Sequence, residues 1–96
     1  MILTWDEPKR KANIARHGLD FVDLEHFDWK SAAYQVANDG RDGRKRLMAI
    51  GELDGRAISI VFARWGAEAY SIISMRPASR KERRVKIWAD LTTFLR

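Results

Sequence analysis

Ser71-Ile-Ile-Ser-Met-Arg-Pro-Ala-Ser-Arg-Lys-Glu82 is the stretch on which the fold turns. Its first half is apolar and β-branched, which suits a strand. Pro77 ends that strand, because proline has no N–H to give to a ladder. The second half opens a helix: Ser79 is a favourable N-cap, and Glu82 three residues on completes a capping box. A strand end and a helix start therefore meet within a few residues. Arg76 is the last strand residue, and Arg80, Lys81, Arg83, Arg84 and Lys86 follow on the helix. Guanidinium groups gathered at one fixed joint suit phosphate recognition, since each offers a planar fork of donors. A solvated basic helix face is the competing reading.

Outward from this joint, Arg46–Leu53 and Arg56–Arg64 read as paired strands joined by Asp54-Gly55, a strong two-residue hairpin signal. Ile58, Ile60, Val61 and Phe62 mark the return strand as central. Trp65-Gly66-Ala67-Glu68 turns into the strand ending at Arg76. Ala32–Ala37 alternates weakly as a further strand, and Asn38–Gly43 is a loop on composition. Met1–Trp5 reads as an edge strand. Asp6-Glu7-Pro8 then starts a helix that ends at His17-Gly18. Asp20 can cap a second short helix that buries Phe21, Val22, Leu24 and Phe27, with His26 a structural residue among them. The last helix runs from about Arg80 to Leu95, and Val85, Trp88, Leu91 and Leu95, with Ile87 and Phe94 nearby, form its expected apolar stripe. The predicted fold class is α+β: two N-terminal helices, an antiparallel β-meander of three to five strands, and a C-terminal helix. One domain over residues 1–96 is expected.

Composition narrows the function. An apolar fraction of 46% with four Trp and four Phe argues for a folded core. No cysteine is present, which excludes disulfides and thiolate metal sites. There is no signal-peptide pattern and no apolar run of membrane-spanning length, so the expected location is cytoplasmic, away from the membrane. Lys and Arg number 18 against 13 Asp and Glu, a net charge of +5, which favours a negatively charged partner.

No Gly-rich phosphate loop, paired histidines or carboxylate pair stands out, and no metal site or cofactor is expected. Arg, Lys and His can still cleave RNA without a metal, because the 2′-hydroxyl is already the nucleophile. The protein need only orient the phosphate, stabilise the growing negative charge and move a proton. The candidate catalytic residues are Arg76, His17, Arg64 and Lys9. Those for nucleic-acid binding are Arg80, Lys81, Arg83 and Trp65, the last able to stack a base.

Trp5-Asp6-Glu7-Pro8-Lys9, Asn13, and Arg16-His17-Gly18 with Phe21 resemble the N-terminal signature of BrnT-type toxins. Ala49-Ile50-Gly51 before Asp54-Gly55, and Ile72-Ile73-Ser74-Met75-Arg76-Pro77-Ala78 before a basic helix, extend the likeness across nearly the whole chain. The family pattern more often has Lys where Arg16 stands. It also has Thr, any residue, Arg and Gly where this chain has Ala63-Arg64-Trp65-Gly66, so Arg64 sits one place early. The resemblance implies a RelE-like fold and a metal-independent endoribonuclease toxin of a bacterial type II toxin–antitoxin system. It further implies an RNA substrate and a ribbon-helix-helix (BrnA-like) antitoxin, with DNA met only through the antitoxin complex. The alternative is a non-catalytic nucleic-acid- or antitoxin-binding module of the same fold.

Overall fold

The computed structural model describes residues 1–37 and 45–95. In chain order they form β1 (Ile2–Trp5), α1 (Glu7–His17), a short 3-10 helix (Phe21–His26), β2 (Ala33–Ala37), β3 (Arg46–Leu53), β4 (Arg56–Trp65), β5 (Ala69–Pro77) and α2 (Arg80–Leu95). The strands make one sheet in the order β1-β5-β4-β3-β2. Asp54 and Gly55 both take positive φ, 50° and 78°, as a two-residue turn between right-twisted strands requires. The α1 helix ends as expected at Gly18, in the left-handed conformation with φ 68°, its N–H bonded to the Ile14 carbonyl.

Two parts of the predicted fold class are corrected. The sheet is mixed rather than an antiparallel meander, because β1 runs parallel to β5, with Ile2 opposite Ala69 and Trp5 opposite Ile72. A parallel neighbour needs a long crossover, here residues 6–68, and local sequence pattern does not encode it. The second N-terminal helix is only the six-residue 3-10 helix. Its bonds run from Asp23 N–H to the Asp20 carbonyl and from Phe27 N–H to the Leu24 carbonyl, the tight three-residue spacing that seldom extends further. One α-helix therefore lies between β1 and β2, and one follows β5.

The core lies on one sheet face. Ala49 and Leu53 of β3, Ile58, Ile60 and Phe62 of β4, and Ile72 and Met75 of β5 pack against Leu19, Phe21, Leu24 and Phe27. Trp29 closes the corner, edge-on to Phe27, Phe62 and Tyr70, with its indole N–H given to the Leu24 carbonyl at 3.0 Å. Gly51 makes this packing possible: a Cβ there would lie 2.7 Å from Cζ of Phe27. His26 is not part of the core; its side chain is exposed, 3.4 Å from Glu25.

The other face carries α2, which packs over β3 and β2. The expected apolar stripe faces inward only at Val85. Val85, Lys86 and Ala89 are half-buried, as are Glu82 and Thr92, whereas Ile87, Trp88 and Leu91 are exposed. The expected Asn38–Gly43 loop and the side chains of Phe94 and Leu95 lie outside the described residues.

Candidate active site

β1 covers only the first part of the free edge of β5, pairing with residues 69–72. Past that point α1 takes over the edge, and a single side chain makes the join. Asn13 is buried, accepts the Met75 backbone N–H on Oδ1 at 3.0 Å, and donates from Nδ2 to the Leu19 carbonyl at 3.0 Å. A side-chain amide carries one donor group and one acceptor, so it satisfies both backbone groups at once.

A bulge lies beside this join. Val61 faces Ser74 and Phe62 faces Ile72, which leaves Ile73 as an extra residue in β5. Bulges re-aim side chains, and here Ile73 and Ser74 form one wall of an open groove. Lys9, Ala12, Arg16 and His17 of α1, with Asn13, form the other wall. The groove is about 270 Å³. Two of the expected catalytic residues, Lys9 and His17, thus come together, and Arg16 joins them.

Arg76 stands two residues beyond Ser74 on the same strand face, roughly 7 Å further along. Its guanidinium is held by Glu82: Nη1 to Oε1 and Nη2 to Oε2, both at 2.6 Å. Nη1 also reaches the Pro77 carbonyl at 3.3 Å. Glu82 accepts two more hydrogen bonds on Oε1, from the hydroxyl of buried Ser59 at 2.9 Å and from the Ser79 N–H at 2.8 Å. Ser79 Oγ in turn accepts the Glu82 N–H at 3.1 Å, so the expected capping box is present. The Arg76 guanidinium holds the Glu82 carboxyl well below its ordinary value, at about 2, with the Ser79 and Ser59 hydrogen bonds adding to the effect and burial opposing it. Arg76 is shifted upward, chiefly by the same Glu82 contact. An end-on pair of this kind uses one N–H of each terminal nitrogen. Among the described residues, the Arg76 Nε–H and the neighbouring outer N–H of Nη2 have no partner. These form a second fork, suited to two oxygens of one phosphate.

Arg64 and Trp65 are placed elsewhere. Arg64 pairs with Tyr70 while Arg76 pairs with Ser59, so they stand five residues apart on the ladder, roughly 17 Å. By strand alternation Arg64 also falls on the face of Phe62 and Ile60, opposite to Arg76. Trp65 lines a separate groove with Thr4, Trp5, Asp6 and Ser71. Arg80, Lys81 and Arg83 are exposed on the first turns of α2, beside Arg76 in the chain. Sequence reasoning missed the wider role of Glu82, read there only as a cap, and the two-sided role of Asn13. A capping Glu six residues after a strand-ending Arg is the signal that points to the first.

Among the described residues there is no group of three or more His, Cys, Asp or Glu able to hold a metal ion. No helix among them is long and apolar enough to cross a membrane.

A small mixed sheet with a basic groove along one edge is the frame on which these cations are arranged. Residues 5–82 match the family described as the ribonuclease toxin, BrnT, of type II toxin–antitoxin systems. This chain belongs to that family, and is a ribonuclease of the toxin class with RNA as substrate and an antitoxin as partner. Among solved structures it is similar to the Brucella abortus ribonuclease toxin BrnT, whose crystal structure was determined at 1.1 Å. Identity is 48%, with a TM-score of 0.63 over 83% of this chain and all of the Brucella chain. No match is found among curated proteins.

Proposed function

We propose that the chain is a metal-independent endoribonuclease in which Arg76 holds the scissile phosphate and the α1 groove moves the protons. The observation that carries this reading is the four-bonded Glu82 behind Arg76. It fixes one edge of the guanidinium and leaves the other edge available for phosphate oxygens, so the donors are oriented before RNA arrives.

In the reaction, the ribose 2′-oxygen bonds to phosphorus and the bond to the 5′-oxygen breaks. The 2′-proton passes to a base, the departing 5′-oxygen takes a proton, and a 2′,3′-cyclic phosphate remains. His17 takes the proton-transfer role in this reading, supported by its position on the groove wall with Lys9 and Arg16. Lys9 and Arg16 supply positive charge beside it. Arg80, Lys81 and Arg83 draw the RNA backbone toward Arg76, while Arg64 and Trp65 contact RNA away from the cleaved bond. The antitoxin in this reading is a small ribbon-helix-helix protein, the toxin works in the cytoplasm, and residues 1–96 act as one domain.

Metal independence is supported by the donor set in the sequence. It has no cysteine, and its two histidines lie on separate elements, His17 on α1 and His26 on the 3-10 helix. The test is RNA cleavage by purified protein in excess EDTA. Cleavage that persists, with cyclic-phosphate ends, supports the reading; loss in EDTA and return with a divalent ion overturns it.

A further inference from the structure

The outer face of α2 is composite. Ile87 is 59% exposed, Trp88 71% and Leu91 50%. At these spacings they share one helix face, and Arg80 and Arg84 continue it toward the N-terminus of α2. Arg80, Lys81, Arg83 and Arg84 have no ion-pair partner among the described residues. One helix thus presents large apolar side chains over residues 87–91 beside uncompensated positive charge over residues 80–84. Part of this face lies outside the family match, which ends at residue 82.

We infer that this face docks the antitoxin through an amphipathic acidic segment, apolar side chains over Ile87, Trp88 and Leu91 and carboxylates over Arg80, Arg83 and Arg84. Charge complementarity selects an acidic partner, and the apolar half selects a protein. Trp88 could stack on a nucleotide base, but Ile87 and Leu91 have no π-face and gain nothing from RNA. An aromatic anchor beside aliphatic ones suits a helix laid along the face. The inference rests on the toxin reading above and extends it to a means of inhibition. A segment anchored on Trp88 and Leu91 lies across Arg80 and Arg83 and excludes RNA from the cations beside Arg76.

The experiment compares wild type with Trp88→Ala and Leu91→Glu, exposed changes expected to leave the fold intact by circular dichroism. Three quantities are measured on each: affinity for the purified antitoxin of the same toxin–antitoxin module, affinity for a single-stranded RNA oligonucleotide, and RNA cleavage rate. The expected result is that each variant binds the antitoxin at least about 10-fold more weakly, as loss of a buried anchor does, with RNA affinity and cleavage unchanged. Antitoxin affinity unchanged in both variants overturns the inference. So does a fall in RNA affinity with antitoxin affinity held, which would assign the face to RNA. A wild-type protein that does not cleave RNA rejects the catalytic reading, yet leaves the antitoxin measurement able to decide this one.

Discussion

Arg76 and Glu82 meet through two parallel hydrogen bonds of 2.6 Å, across the turn that carries β5 into α2. The pair ties the end of β5 to the first turn of α2, and Ser59 adds a bond from β4. One carboxylate therefore orients the arginine and fastens the helix to the sheet.

Acid should loosen that fastening. Glu82 has its folded-state pKa lowered from 4.5 to about 2, so its contribution is complete above pH 4.5 and is lost as pH falls toward 2. A shift this large corresponds to about 3 kcal/mol in full, but the Arg76 side chain is 37% exposed. Solvent screening brings the expected loss to about 1–2 kcal/mol. Denaturant midpoints of wild type and Glu82→Gln between pH 7 and 2.5 provide the measurement. Asp20 and Asp28 are also lowered, by Arg10 and Ser31 respectively, so the difference between the two proteins isolates Glu82. Parallel pH curves would show that the pair does not fasten the helix.

Asn13 should tolerate almost no substitution. Asn13→Ala leaves the Met75 N–H and the Leu19 carbonyl without their partner, at about 1–3 kcal/mol for each group that stays dry. Asn13→Asp can still accept from Met75 but cannot donate to Leu19, so it buries a carboxylate against a carbonyl. Both variants should unfold at lower denaturant, and hydrogen exchange at Met75 should speed up most. A loss below about 0.5 kcal/mol, the range of ordinary surface changes, would mean that water replaces the amide.

Much of this is legible in the sequence. The Asp54-Gly55 turn, the Gly18 helix end and the Ser79–Glu82 capping box are local patterns, and local patterns are what a sequence displays. The parallel pairing of β1 with β5 was hidden, because its partners are more than sixty residues apart and β1 carries only four residues of pattern. Periodicity put Val85, Trp88, Leu91 and Leu95 on one apolar stripe, but it could not say how much of that stripe meets the sheet. Val85 is half-buried with Lys86 and Ala89, whereas Trp88 and Leu91 are exposed. At the site, Lys9 and His17 share a groove, while Arg64 is separated from Arg76 by the length and alternation of β4.

His17 should matter to rate more than to stability. Its side chain lines the groove opposite Ser74 and Ile73, outside the core cluster. His17→Ala is expected to slow cleavage by about 10²–10⁴-fold, the usual worth of a positioned acid or base, with the melting temperature nearly unchanged. Single-turnover cleavage rates and melting temperatures of both proteins check the assignment. An unchanged rate would leave His17 as a helix-end residue only.

Arg76→Lys separates transition-state stabilisation from simple attraction of RNA. Lysine keeps the positive charge and can still pair with Glu82, so the helix should stay fastened and the protein should fold. It cannot use one edge of a planar group for Glu82 while presenting the other edge to phosphate, because an ammonium has no such geometry. RNA binding draws on many exposed cations, among them Arg80, Lys81 and Arg83, and should weaken only several-fold. Charge growing on the phosphate oxygens during reaction needs oriented donors, and losing one costs about 10²-fold or more in turnover. The expected result is therefore a variant with near-normal affinity for an uncleavable 2′-deoxy substrate and a turnover down by about two orders of magnitude. Equal losses in binding and turnover would reduce Arg76 to a uniform contact. Full activity would move the phosphate site away from Arg76, toward Lys9 and Arg16 in the groove.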